Sequence, residues 1–426
     1  VRFLLFDQQV RAEGEGEATY VRLRTQAQSP QALAVMGSVA LAWNPASQSV
    51  TVHHVSILRE GQTIDALDGQ TFETLRREQN LEQAILDGRM TAVLQLSGLR
   101  VGDILDVAYT TTARDPVTGG HFEQTVDLNP PAAVDRVRYR ASWPASLPVR
   151  VRAADDWTPL RVRRVGDQSV VEIEQDGIHP LWAPDDAPAR FHAVRRIELT
   201  DYRDWADIAV ALKPLYDTAR ALAPTSPLHA EIERIRALSD DDAVRAAAAL
   251  RLVQDQVRYV ALVMGEGALT PAGADETWNR RFGDCKAKTA LLLALLDGLG
   301  IAAEPAAVSS LFGDGMDRTL PRVAAFDHVL VRTEIGGRVY WLDGARTGDR
   351  ALEGIRVPPY HWALPLTGPQ AGLEALTAQP LTQPDGEVYF DLDVSAGLYV
   401  PGGTAPLFST LIMLAEQLDW MNDLGG

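Results

Sequence analysis

A chain of 426 residues is long enough for two or three domains with proper cores, and its 46% hydrophobic and 23% charged content is ordinary for a globular protein. A formal net charge of -17 argues against nucleic acid or an anionic membrane surface as partner, since either requires a basic face. No stretch reaches the roughly 18 uninterrupted apolar residues of a membrane-spanning helix, and a single cysteine excludes an internal disulfide.

Residues 1–198 read as β-rich. Alternating runs at 19–24, 49–58, 104–111, 135–142, 169–174 and 191–199 are separated by clusters of Gly, Pro, Asn and Asp, the pattern of strands joined by turns. Their spacing predicts a β-sandwich of one long or two stacked sheets. The stretch 72–86 could instead form a helix. His53 and His54 adjoin on a predicted strand, so they point to opposite faces and make a poor metal pair. This half holds no constellation for chemistry, and its expected role is structural or substrate-recruiting.

From Tyr202 the periodicity becomes helical. Residues 204–223 put Trp205, Ile208, Leu212, Leu215 and Ala219 on one stripe, with a kink expected at Pro214 and a stop at Pro224. Ser239, Asp240, Asp241 and Asp242 form a capped acidic start for a helix over 243–259. That acidic run lacks the alternating spacing and distal glutamate of a calcium loop. Residues 260–278 form a glycine-rich loop of the kind that lines substrate clefts. Its Gly265-Glu266-Gly267 is not a phosphate cradle, because the Lys-Ser/Thr ending is missing. Glu266 and Trp278 are candidates to touch substrate, the alternative for Trp278 being burial against the next helix.

That next helix opens the stretch on which the functional reading turns, RFGDCKAKTALLLALLDGLG from Arg281. Asp284 suits an N-cap, because its carboxylate can accept from the free N–H groups of the first turn. Gly283 permits the tight entry. Residues 290–296 are apolar all round, so the helix is expected to be buried, ending at Gly298 and Gly300. Cys285, the only cysteine, then sits where unpaired N–H groups and the positive dipole end favour an anion and hence a nucleophilic thiolate. A lone cysteine is more often a small buried hydrophobe, but its neighbours are unusual. Two of only three lysines, Lys286 and Lys288, lie within three residues of it. Their ordinary reading is solvent-facing helix residues.

Residues 301–308 read as a strand, and 309–324 as a loop that could lid the cleft. Then comes FDHVLVRTEIGGRVYWLDGA, residues 326–345, in which alternating and β-branched residues flank Gly336-Gly337. This is a hairpin with a two-residue turn. Such a turn places His328 and Asp343 on one face, diagonally related and within reach of a hydrogen bond. A catalytic cysteine needs a base and a group to orient it, and Cys285, His328 and Asp343 supply all three. Beyond residue 366 the pattern reverts to β, with alternation over 387–394 and a helix over 407–424.

Together these features resemble the transglutaminase-like superfamily, with its papain-like Cys-His-Asp core. The phrases that carry the resemblance are VRYVALVMGEGALTPAGADETWNRRFGDCKAKTALLLALL, FDHVLV and YWLDGA, with DYRDWADI as the joining segment. They are similar to a bacterial subgroup bearing a large N-terminal β domain of unknown function; where that subgroup usually has an acidic residue, this chain has Ala287. The resemblance implies an α+β fold in three parts. Residues 1–198 would be the β-sandwich and 199–366 a catalytic domain of helices packed on an antiparallel sheet. Residues 367–426 would be the start of a third domain cut short, or a docked tail. It further implies Cys285 as nucleophile, His328 as general base and acid, Asp343 as orienting carboxylate and Tyr259 as an aid to the oxyanion site. The expected activity is acyl transfer on a peptide or protein carboxamide through a thioester, hydrolysis favoured slightly over transglutamination. No metal or organic cofactor is needed. A periplasmic or exported location is expected from the subgroup. The rival readings are a non-enzymatic protein that holds a peptide in the cleft, and a structural module in which the β domain does the work.

Overall fold

The alternating apolar residues of the N-terminal half pair into one long sheet. Its strands Arg163–Val165, Gln168–Ile178, Val134–Pro144, Arg2–Glu13, Gly16–Gln26, Ile104–Ala113, Gln48–Arg59 and Gln62–Asp65 lie side by side in that order. All neighbours are antiparallel except Arg2–Glu13 and Val134–Pro144. The computed structural model describes residues 1–378 apart from 15, 77–84, 87, 116, 118–119, 154–159, 193–194, 263–268 and 312. The described residues belong to the unit Val1–Gln379. The strand and helix expected over 387–394 and 407–424 lie outside them.

Two three-stranded sheets pack on the long one through separate cores. In the first, Val39, Leu41 and Leu94 meet Val55, Ile57, Leu105 and Val107, together with the short helix α1 (Pro30–Met36). In the second, Phe122, Val126, Ile197 and Leu199 meet Val10, Tyr139, Ala141 and Trp143. Each Val, Leu, Ile or Phe side chain among these, taken wholly out of water, contributes about 1.5–3 kcal/mol. Two expectations fail here. Within 72–86 the described stretches Glu73–Arg76 and Ile85–Leu86 are strands, paired with Met90–Gln95 and Ala261–Leu262, and 77–84 lie outside the described residues. Ladder partners distant in sequence override a local helical pattern. Over the described residues of 191–199 the strand is confined to Arg196–Thr200, and Phe191 closes the 3-10 turn Ala189–Phe191.

The second half supplies α2 (Trp205–Ala219), α3 (Leu228–Arg236), α4 (Asp242–Gln256), α5 (Ala274–Arg280) and α6 (Cys285–Leu299). Helix α2 continues through Pro214, whose fourth preceding residue, Val210, lies on the exposed face. A carbonyl left without its partner there is close to solvent. Helix α4 starts on its Asp241 cap but ends at Gln256. Arg258–Tyr259 leaves the helix to form a two-residue strand beside Phe282–Gly283, so the predicted helix over 243–259 is too long. Helix α6 is buried from Ala290 to Leu296. It packs through Leu291–Leu296 side chains on Val329, Val331 and Leu342. These belong to an antiparallel sheet ordered Arg338–Leu342, His328–Ile335, Ala303–Val308, Trp362–Pro365 and Glu374–Ala375. A second cluster containing Val308, Leu330 and Trp341 completes the packing of that sheet.

Helix α6 stops at Gly300, not Gly298. Gly300 is left-handed at φ 80°, its N–H bonds Asp297 O, and Ile301 N donates to Leu296 O at 2.9 Å, which is a Schellman ending. Gly298 has a packing reason instead. A Cβ there would overlap Ile232 of α3, meeting Cγ1 at 3.1 Å and Cγ2 at 3.2 Å besides a closer approach to Cδ1. In an open helix, replacing glycine by alanine gains about 0.5–1 kcal/mol. Here Gly298→Ala should lower the melting temperature, and Gly298→Val should cost about 1–3 kcal/mol in urea unfolding. Unchanged or raised stability in both would mean that α3 and α6 are not in the close contact described.

Candidate active site

The entry to α6 is built for its first residue. Asp284 is extended, and its Oδ1 accepts from Ala287 N at 2.9 Å while its other oxygen pairs with Lys286. A Cβ on Gly283 would stand 2.8 Å from Ala287 Cβ and 3.2 Å from Thr277 Cγ2, so only glycine fits this approach. Gly283 O accepts from Val260 N at 3.1 Å. The Tyr259 strand is thereby laid along the segment leading into Cys285.

The hairpin has the register read from its turn. Val331 pairs with Leu342 and Ile335 with Arg338, around Gly336 and Gly337 at φ 62° and 76°, the two positive values of a type I′ turn. His328 opens its strand and Asp343 follows the other. His328 Nε2 lies 3.0 Å from Asp343 Oδ2, and Asp343 Oδ1 accepts from Ala345 N at 2.8 Å. Both carboxylate oxygens are therefore held, in a residue only 4% exposed. With Nε2 on the carboxylate, Nδ1 is the nitrogen left for the thiol. Thr289, one helical turn after Cys285, donates from its hydroxyl to Val329 O at 3.2 Å. That bond sets the helix start against the strand start. Cys285 and His328 share a cavity of about 120 Å³ with Leu212, Tyr216, Val323 and Phe326 among its walls.

The remaining sequence candidates separate. Tyr259 is half exposed beside Gly283. Burial pushes its hydroxyl well up, and the charges of Cys285, Asp284 and Asp343 add to this, so it stays a proton donor close to the thiol. Trp278 is buried in the helical core with the Arg281 guanidinium 3.5 Å above its ring. It is not among the residues lining the cavity, and packing is its observed part. Glu266 lies outside the described residues. Lys288 departs from the solvent-facing reading. It is 1% exposed, its Nζ donates to Val257 O at 2.6 Å, and burial lowers it to about 8 against an opposing pull from Asp343. Two residues went unnoticed in the sequence. Tyr216, four residues after Leu212 on α2, lines the cavity, and its helical spacing was a readable signal. Tyr360 meets the His328 ring edge-on at 5.7 Å, from an irregular stretch that offers no pattern to read. Among the described residues no group of three or more His, Cys, Asp or Glu side chains could hold a metal ion; His53 and His54 instead bond Thr110 and Asp106.

Residues 15–180 match a family described as a Domain of Unknown Function with solved-structure structure (DUF3857). No curated protein matches the chain. The fold is similar to a crystal structure described as "a putative protease" from Parabacteroides distasonis, with a TM-score of 0.68 at 13% identity over 89% of this chain and 72% of that one. A structure described as "a putative cysteine protease" from Cytophaga hutchinsonii also matches, at 13% identity over 89% of this chain and 94% of that one, with a TM-score of 0.22. The first likeness establishes a shared mixed α and β fold.

Electrostatics at the site favour a protonated ring. Burial pushes the His328 imidazole down, but its hydrogen bonds to Asp343 and the thiol, with their charges, outweigh it and raise the ring to about 10. Because the folded value lies above the ordinary 6.5, protonation favours the folded state. That contribution is complete below about 6.5 and disappears as pH rises through about 10. The stability difference between wild type and His328→Ala, from urea unfolding at a series of pH values, should therefore shrink through about pH 10. A pH-independent difference would remove the electrostatic basis of the site.

Proposed function

We propose that the protein is a cysteine-dependent acyl-transfer enzyme acting on a peptide or carboxamide, with hydrolysis favoured over transfer to an amine. One observation carries this reading: a single imidazole, bonded to a doubly held carboxylate, shares the wall of one cavity with a helix-terminal thiol. The fold likeness to a structure described as "a putative protease" supports it.

With the ring protonated, Cys285 sulfur attacks the carbonyl carbon as thiolate. A C–S bond forms and the carbonyl π electrons move to oxygen, and a backbone N–H of the α6 start donates a hydrogen bond to that oxyanion. His328 gives its proton to the leaving nitrogen, the C–N bond breaks and a thioester remains. Water, losing a proton to His328, then attacks the thioester and releases the acid and the thiolate. Asp343 keeps the ring oriented throughout and is not itself transformed. An amine in place of the water would give transglutamination.

Cys285→Ala and Cys285→Ser should abolish turnover while leaving the circular dichroism spectrum and melting temperature near wild type. His328→Ala should lose on the order of 10³-fold or more, and Asp343→Asn less than His328→Ala. Mass spectrometry of protein incubated with cell extract should find an acyl adduct on Cys285, absent in Cys285→Ser at the same peptide. Full turnover by Cys285→Ala would end the reading.

A further inference from the structure

The cavity wall formed by Val323 and Phe326 is held from outside the helical half. Glu123 and Glu198 stand on the paired strands Glu123–Asp127 and Arg196–Thr200, where Glu123 pairs with Thr200 and Thr125 with Glu198. The two carboxylates therefore project from one face as diagonal neighbours. Glu123 Oε2 accepts from Val323 N at 2.7 Å and Oε1 from Ala324 N at 2.9 Å. Those are the opening N–H groups of the 3-10 turn Val323–Ala325, which has no side-chain cap of its own. Glu198 accepts from Leu320 N at 3.2 Å and from Arg322 Nη1 at 2.6 Å. Glu198 and Arg322 are both buried. Apolar side chains would serve mere adhesion as well or better, because burying charges is costly even when they are paired. What carboxylates add is direction: each fixes where particular N–H groups must lie.

Building on the acyl-transfer reading above, we infer that Glu123 is a positioning residue that holds the Val323 and Phe326 wall, so that the N-terminal β layer sets which side chain fits beside the reacting carbonyl. The pocket so shaped takes an apolar side chain: Leu212, Leu269, Val323, Phe326, Val329 and Leu366 line it, and the lysine and the aspartate in its wall are already partnered, Lys286 by Asp284 and Asp327 by Ser310.

The test uses the whole chain and two kinds of thiol probe. Iodoacetamide reports the reactivity of Cys285 itself. Short peptidyl chloromethyl ketones bearing Gly, Val, Leu or Lys at the ketone report the pocket. Wild type should react with the Val or Leu probe about tenfold faster than with Gly or Lys. Glu123→Gln puts an amide NH₂ against a backbone N–H, and should lose most of that preference when each rate is divided by the same variant's iodoacetamide rate. Val323→Ala enlarges the wall and should move the preference from Val toward Leu. Iodoacetamide reacting with wild type no faster than with a free thiol would overturn the acyl-transfer reading, and this inference with it. A reactive thiol with equal rates for the four ketones, or a Glu123→Gln variant retaining the wild-type preference, would overturn this inference alone. Should Glu123→Gln fail to fold, an unchanged preference in Val323→Ala decides against it.

Discussion

The seating of α6 on the strand His328–Ile335 is the constraint from which the site follows. A helix buried along its whole apolar length, with Ala290 to Leu296 all withdrawn from water, is stable only where other elements surround it. Once Val329, Val331 and Leu342 form its floor, its start must fall near the end of the hairpin. The Thr289 bond to Val329 then removes the freedom to slide. Cys285 arrives beside His328 because the hydrophobic core leaves the helix nowhere else to begin.

The charges around that junction form an ordered series. The Lys288 ammonium rests on Val257 O, at the C-terminal end of α4, where a helix dipole favours a cation. Its backbone packs against Gly344, where a Cβ would stand 3.4 Å from Lys288 Cβ. Asp343 is the next residue back, and its pull on Lys288 opposes the effect of burial. The carbonyl of Asp343 accepts from Gln254 Nε2 at 2.9 Å, and Gln254 in turn bonds Asp349. Helix α4 thus braces the Asp343 backbone from the rear. A carboxylate so supported can hold a proton on His328 above neutral pH, which an exposed aspartate in high dielectric would do weakly.

The parts legible in the sequence were those governed by short-range geometry. A two-residue Gly336-Gly337 turn admits one register, so His328 and Asp343 could be brought together from their numbers alone. The Asp284 cap and the all-round apolar run of α6 were readable for the same reason. Failures came where a distant partner decided the conformation. Arg258 and Tyr259 left α4 because Phe282–Gly283 offered them a ladder, and Glu73–Arg76 became a strand against Met90–Gln95. Lys288 looked like a surface residue because lysine usually is one. Only the α4 end, unseen in a linear pattern, explains its burial.

The joint between the β layer and the cavity wall follows from the same long-range logic. The described residues of 309–324 are irregular apart from the turn Met316–Arg318 and the start of Val323–Ala325, and irregular backbone must find partners for its N–H groups outside a regular ladder. A loop that lines a buried cavity cannot leave such groups unpaired without a cost of about 1–3 kcal/mol each. One glutamate can satisfy two at once, and Glu123 does so for Val323 and Ala324. It can do this only from one strand register, because a slip of a single residue would turn it to the opposite face. The pairing of Glu123 with Thr200 therefore fixes more than a β ladder. It carries the order of the N-terminal sheets across to Val323, in the wall of the cavity that holds Cys285.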